Sequence, residues 1–223
     1  MLKRRFAALV FTLAVCLAGT AAAPASSSAT DPILFVHGWS GSASNWNTMI
    51  ERFEKDGYAK SYLSAYTYNT SQSNKVDAEK EVKSHVESLL KATGASKVDI
   101  IAHSMGSLNT RWYVKFVKGG EEKVDDWVSL GGPNHGTETA KFCFSVSCEE
   151  MRIGSKFLSE LNAGDETPGT VNYGTWWSPC DEVINPDSSV ILTGATNTQT
   201  ACMSHSSLHE DAGVYAQVRD FVR

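Results

Sequence analysis

The 223-residue chain has no excess of positive charge, no internal repeat or low-complexity tract, no Cys-x-x-Cys pair, and no apolar run long enough to cross a bilayer comfortably. Each absence removes a class of function. Twenty Lys and Arg against 25 Asp and Glu leave no basic footprint for nucleic acid or an anionic membrane surface, so no nucleic-acid partner is expected. Without paired cysteines at metal spacing a zinc site is not indicated; no cofactor and no metal-ligand set is expected, while a structural calcium ion lies beyond what the sequence specifies. The longest apolar run, residues 6–17, follows Lys3, Arg4 and Arg5 and leads to Ala23-Pro24-Ala25. Residues 1–25 therefore read as a secretory signal peptide, which predicts a secreted, extracellular protein. Arg4-Arg5 leaves twin-arginine export open beside the general route. Cys16 follows Val15 rather than a small residue, so no stable membrane anchor is expected.

What remains after the leader is a short polar lead-in, residues 26–30, and a stretch from 31 to 223 of a size that one hydrophobic core can serve. A single domain and a monomer are expected. Four cysteines remain, Cys143, Cys148, Cys180 and Cys202, and an even count in an exported chain predicts two disulfides. Three pairings are possible; local order favours Cys143 with Cys148 and Cys180 with Cys202.

Apolar runs and helical spacings alternate along the chain. Strands are predicted at 32–36, 62–68, 98–102 and 124–130, with helices at 46–53, 76–90 and 108–117. After Leu130 the pattern loosens. A helix at 155–161, strands at 171–177 and 190–193, and a closing amphipathic helix carrying Val214, Val218, Phe221 and Val222 complete the reading. Alternation of this kind calls for parallel strands joined by crossover helices, the α/β class.

Ala102-His103-Ser104-Met105-Gly106 sits where a buried strand runs into a buried helix, the context a nucleophile elbow needs. Small residues at 102 and 106 permit the sharp turn, which holds the Ser104 hydroxyl clear of the sheet. Serine attacks only when a base takes its proton, and imidazole is the usual base. Of six histidines, His37 and His103 bracket motifs whose backbone matters, His85 lies on a charged helix face, and His135 fits a structural role. Ser207 and Glu210 have capping-box spacing, which predicts a last helix starting near Leu208. His205 is then free in the preceding loop while His209 is fixed in the first turn, which favours His205 as base. Asp181, in the loop after the 171–177 strand, is the candidate acid, with Glu182 and Asp187 as substitutes. Phe35-Val36-His37-Gly38-Trp39 offers the Trp39 amide as partner to the Met105 amide in an oxyanion hole.

These segments, VHGWSG, KVDIIAHSMGSLNT and LGGPNHGT, with the chain order Ser, Asp, His, resemble the small secreted bacterial lipases of class 2 over nearly the whole mature chain. The resemblance implies a minimal α/β-hydrolase fold: a mostly parallel central sheet, helices on both faces, little or no lid. It implies a lipase or esterase that cleaves esters of glycerol and simple alcohols without a cofactor, on ester or lipid substrate that includes material at a lipid–water interface. By motif match Ser104 is the nucleophile, His205 the base and Asp181 the acid, with Trp39 and Met105 supplying oxyanion amides. Ala102 in place of the commoner glycine fits this family; the two cysteine pairs are not required by its simplest members. Residues 138–164 are the only stretch long and apolar enough for a lid, and a Cys143–Cys148 link would make them a fixed crossover. A polyester or cutin hydrolase with the same triad, or a non-catalytic binding module of the same fold, are the alternatives.

Overall fold

The computed structural model describes residues 30–223. The leader and most of the lead-in lie outside them. Six strands form one sheet in the order β2-β1-β3-β4-β5-β6, with every neighbouring pair parallel. They are β1 (Ile33–Val36), β2 (Leu63–Tyr66), β3 (Val98–His103), β4 (Val124–Leu130), β5 (Asn172–Trp177) and β6 (Thr196–Gln199). Parallel strands need crossovers, and the crossovers cover both faces with helices. That is why every residue of β1 and β3 is buried, β1 as an unbroken apolar run and β3 with Asp99 and His103 among its apolar residues.

Alternate side chains of each strand feed two separate cores. Ile33, Phe35, Ile101, Val128 and Leu130 pack on one face against Met49 and Phe53 of α1 (Asn47–Lys55) and Val214 and Val218 of α8 (Ala212–Phe221). Leu34, Val36, Ile100, Ala102 and Trp127 pack on the other. Their partners include Val86 and Leu89 of α3 (Lys83–Thr93), which continues α2 (Asn74–Asp77) through a π-helical turn, and Leu108 and Trp112 of α4 (Gly106–Phe116). A short α5 (Gly120–Lys123) precedes β4, and the crossover from β4 to β5 holds α6 (Val146–Met151) and α7 (Lys156–Leu161). Strand order reverses between β1 and β3, and ligands of open α/β folds bind at the carboxyl edge of such a switch point.

Two expectations fail at the carboxyl-terminal end. Residues 190–193 are not a strand: Val190 closes a 3-10 turn (Asp187–Val190), and Leu192 is buried from a loop. The last strand forms instead at Thr196–Gln199, polar and mostly exposed because it is a sheet edge. Asn197 fixes the shift, since its side chain accepts from the Leu192 amide at 3.0 Å and donates to the Leu192 carbonyl at 2.9 Å.

The last helix does not start near Leu208. Ser206–His209 make a 3-10 turn, Ser207 spends its hydroxyl on Ser204 at 2.7 Å, and Asp211 caps α8 by accepting from the Gly213 and Val214 amides at 2.7 and 2.9 Å. A carboxylate at the N-cap satisfies orphan amides and meets the positive end of the helix dipole. Asp211→Ala should therefore cost about 1 kcal/mol and lower the melting temperature by about 2–4 °C. Glu210→Ala, which would matter had the capping box formed, should leave melting within about 1 °C of wild type.

Candidate active site

All six parallel strands deliver their carboxyl ends to one edge of the sheet. At the end of β3, Ser104 adopts φ 55°, the left-handed region that a non-glycine residue occupies only when its surroundings enforce it. The Ser104 amide donates to the Leu130 carbonyl at the end of β4 (2.9 Å), and the Ser104 carbonyl accepts from the Ser107 amide (3.0 Å) as α4 begins. Close approach needs glycine on both sides of the turn. A Cβ on Gly106 would lie 2.6 Å from the Val36 carbonyl oxygen, and one on Gly38 would lie 2.6 Å from Ser104 Cβ. The loop leaving β1 is thus laid directly on the elbow.

That loop is held by a histidine. His37 is buried; its Nδ1 donates to the Gly38 carbonyl at 2.8 Å, its ring stacks on Tyr68 at 4.4 Å, and Tyr68 Oη donates to the His37 carbonyl at 2.7 Å. Burial lowers the His37 pKa. Trp39 follows in the turn with its side chain 45% exposed. Met105, the N-cap of α4, belongs to the helix end whose amides have no intrahelical acceptor.

In the loops that leave β5 and β6 at the same sheet edge, the structure brings His205 and Asp181 together. His205 Nδ1 donates to Asp181 Oδ2 at 2.8 Å, and both side chains are buried. Asp181 Oδ1 accepts from the Val183 and Ile184 amides, each at 2.9 Å, so the carboxylate is orientated by the backbone of its own loop. With Nδ1 committed as a donor, Nε2 is left as the acceptor. Gly131, at φ 59°, makes room: a Cβ there would sit 3.2 Å from both Asp181 Oδ2 and His205 Cε1. Glu182, the substitute acid, accepts instead from the His205 amide at 3.0 Å. Asp187 starts the 3-10 turn that precedes Ile191.

Two crosslinks join the loops of this pair. Cys180 and Cys202 are bonded, with Cα atoms 5.0 Å apart, and Ser178 Oγ both donates to the Met203 carbonyl (2.6 Å) and accepts from the Met203 amide (2.9 Å). Cys143 and Cys148 form the second disulfide, in the β4–β5 crossover, with Cα atoms 5.7 Å apart.

His103 is the residue that sequence reasoning passed over. Its Nε2 donates to the His205 carbonyl at 3.0 Å, and its ring lies 4.5 Å from that of His205 and 4.6 Å from that of His209. Burial, then the neighbouring His205 and His209, hold its pKa well below the usual range, so it stays a neutral donor. It positions the His205 loop from within the elbow itself. Only its place beside Ser104 could have suggested this. His209 is buried against Trp46 at 5.7 Å, with its pKa lowered by burial. His135 bridges Glu166 (2.7 Å) and the Ser189 carbonyl (3.2 Å). His85, expected on a solvated face, stacks on Tyr66 at 3.9 Å.

A family model described as lipase (class 2) matches residues 30–220. A triacylglycerol lipase of Pseudarthrobacter phenanthrenivorans is 30% identical over 121 residues, which is 52% of this chain and 37% of that protein. A triacylglycerol lipase of Burkholderia plantarii is 31% identical over 121 residues, 52% of this chain and 33% of that one. The chain thus spans about a third of the length of these curated relatives. Among solved structures, the mature form of Bacillus licheniformis lipase BlEst2 superposes with a TM-score of 0.77 at 18% identity, covering 87% of this chain and 93% of that one.

Proposed function

Because the chain belongs to the class 2 lipase family, we propose that it is a carboxylic-ester hydrolase that works through an acyl-enzyme on Ser104. The observation that carries this is the buried His205–Asp181 pair, 2.8 Å apart, at the same sheet edge as the strained Ser104. His205 Nε2 takes the hydroxyl proton as Ser104 Oγ attacks the ester carbonyl. The Trp39 and Met105 amides receive the oxyanion. The tetrahedral intermediate collapses, the C–O bond to the alcohol breaks, and His205 returns its proton to the departing alcohol. Water repeats the sequence on the acyl-enzyme, releasing the acid and restoring Ser104. Asp181 keeps the imidazole in the required tautomer and stabilises it when charged. Covalent labelling of Ser104 by an organophosphate, with loss of esterase activity in step, tests this reading; an unlabelled Ser104 in a turning-over enzyme would refute it.

Several observations favour a lipid–water interface as the place of work. Phe142 and Phe144 are each 84% exposed, and Val146, two residues on, is also exposed. Ser147 Oγ donates to the Thr70 carbonyl at 2.6 Å, and Thr70 Oγ1 accepts from the Ser40 amide at 3.1 Å, so this apolar rim adjoins the loop carrying exposed Trp39. Apolar side chains in water at the mouth of a site gain about 1.5–3 kcal/mol each on entering a lipid phase. Phe142→Ser/Phe144→Ser should lower the rate on emulsified triacylglycerol about tenfold or more, and leave the rate on a soluble short-chain ester within about twofold. Equal losses on both substrates would place the two rings in the reaction rather than at the interface. Two disulfides suit an oxidising compartment, in keeping with secretion. Among the described residues no helix is long and apolar enough to cross a membrane.

A further inference from the structure

The opposite, amino edge of the sheet holds a cluster of carboxylates that ester hydrolysis does not use. Asp31 precedes β1, Asp99 is the second residue of β3, and Asp125 is the second of β4. One carboxylate oxygen from each lies within 4.8 Å of the others. The register explains the convergence. Val98 pairs with Val124 but Ile100 pairs with Trp127, so β4 carries one extra residue and both Asp125 and Asp126 stand opposite Asp99. A bulge of this kind re-aims side chains that regular pleating would send to opposite faces.

Asp99 is the telling member. It is 1% exposed, its Oδ1 accepts from the Asp126 amide at 3.2 Å, and its Oδ2 has no hydrogen-bond partner among the described residues. A buried carboxylate oxygen without a donor is costly. The surroundings make matters worse, since Asp31, Asp125 and Asp126 are all acidic, while the nearby cations are turned elsewhere. Lys97 is bound to Asp125 Oδ1 at 2.7 Å, and Arg223 lies 3.9 Å from Asp56. Asp126 Oδ1 is taken by Asn172 Nδ2 at 2.9 Å. The group opens on a cavity of about 650 Å³, which Tyr58 and Tyr62 also line and which has room for water.

We propose that Asp31, Asp99 and Asp125 form a calcium site that clamps the starts of β1, β3 and β4. Oxygens at opposite poles of a calcium shell are about 4.6–5.2 Å apart and adjacent ones are closer, so three oxygens within 4.8 Å can all touch one ion. Magnesium, with bonds of about 2.0–2.1 Å, would require the cluster to contract. Water in the cavity completes the shell. The ion supplies the charge that Asp99 Oδ2 lacks and stabilises the fold from the edge remote from Ser104, so its effect is read in melting and not in ester turnover.

The test uses the secreted chain freed of metal by excess EDTA and then dialysed. Terbium should bind and luminesce on excitation of Tyr58 and Tyr62, and calcium should quench that emission by displacement. Adding about 10 mM calcium chloride at constant ionic strength should raise the melting temperature by about 3–8 °C, with a smaller rise for magnesium. Asp31→Asn/Asp125→Asn should lose both responses. Asp99→Asn keeps the bond from the Asp126 amide and removes a buried charge, so it should melt no lower than wild type in EDTA yet lose the calcium response. Identical melting of wild type in EDTA and calcium, or a calcium response that survives in Asp99→Asn, overturns the proposal and leaves the hydrolase reading untouched.

Discussion

Ser104→Ala is expected to lower kcat on a soluble nitrophenyl ester by about 10⁴–10⁶-fold while its melting temperature stays close to that of wild type. The expectation follows from the geometry of the turn: Ser104 owes its left-handed conformation to Gly38, Gly106 and the Leu130 carbonyl, and not to its own hydroxyl. Removing the hydroxyl removes the proposed attacking atom and little else. His205→Ala should fall as far, because groups that act as a unit lose together. Asp181→Asn should fall by about 10⁴, since an amide facing His205 Nδ1 can favour the wrong tautomer. His209→Ala is the control. Its ring packs on Trp46 and His103, and its Nδ1 has no hydrogen-bond partner among the described residues, so activity should remain within about tenfold of wild type. A dead His209→Ala enzyme that still folds, beside an active His205→Ala enzyme, would reverse the assignment.

How far the sequence speaks depends on where each residue ends up. β1, β3 and β4 lie between neighbours on both sides and are almost wholly buried, so the apolar residues that dominate them mark them plainly despite Asp99, Asp125 and Asp126 near their starts. β6 has one neighbour and an exposed face, and its Thr-Asn-Thr-Gln carries no apolar signal at all. The apolar pair Val190 and Leu192 misleads because burial in a loop and burial in a strand look alike in sequence. The start of α8 was misplaced by competition between two local caps: Ser207 with Glu210 offers one, Asp211 another, and the choice rests on tertiary contacts such as that of Arg52 with the Glu210 carbonyl, 158 residues apart in sequence.

The site divides in the same way. Ser104 announces itself because a sharp turn between strand and helix demands small neighbours. His205 and Asp181 can be nominated from chain order and loop position, but their 2.8 Å contact depends on how the loops after β5 and β6 fold back. The part played by His103 was not legible, since it reaches 102 residues along the chain to a backbone carbonyl. The acidic cluster was hidden for a related reason: three aspartates far apart in sequence converge only through the β4 bulge.

The Cys180–Cys202 disulfide ties together the loops of the proposed acid and base, so its loss should bear on both stability and activity. The bond spans 22 residues, and chain-entropy estimates for a loop of that length give roughly 3 kcal/mol, against roughly 2 kcal/mol for the five-residue span from Cys143 to Cys148. In a domain of this size Cys180→Ala/Cys202→Ala should thus lower the melting temperature by about 6–12 °C. The loss should also be local before it is global. Cys180 adjoins Asp181, and Cys202 lies three residues before His205; without the bond their loops keep Ser178 with Met203, Glu182 with the His205 amide, and the Asp181–His205 contact itself. These few hydrogen bonds, each worth about 1 kcal/mol, open more easily than the packed sheet beneath them. Activity should therefore fade several degrees below the unfolding transition in this variant, whereas in wild type the two coincide. Cys143→Ala/Cys148→Ala, whose crosslink lies in the β4–β5 crossover away from acid and base, should melt lower by a smaller margin with activity and unfolding still coincident. Inactivation and near-ultraviolet melting curves recorded side by side decide the matter, and coincident curves for Cys180→Ala/Cys202→Ala would show that the remaining hydrogen bonds suffice to hold His205 in place.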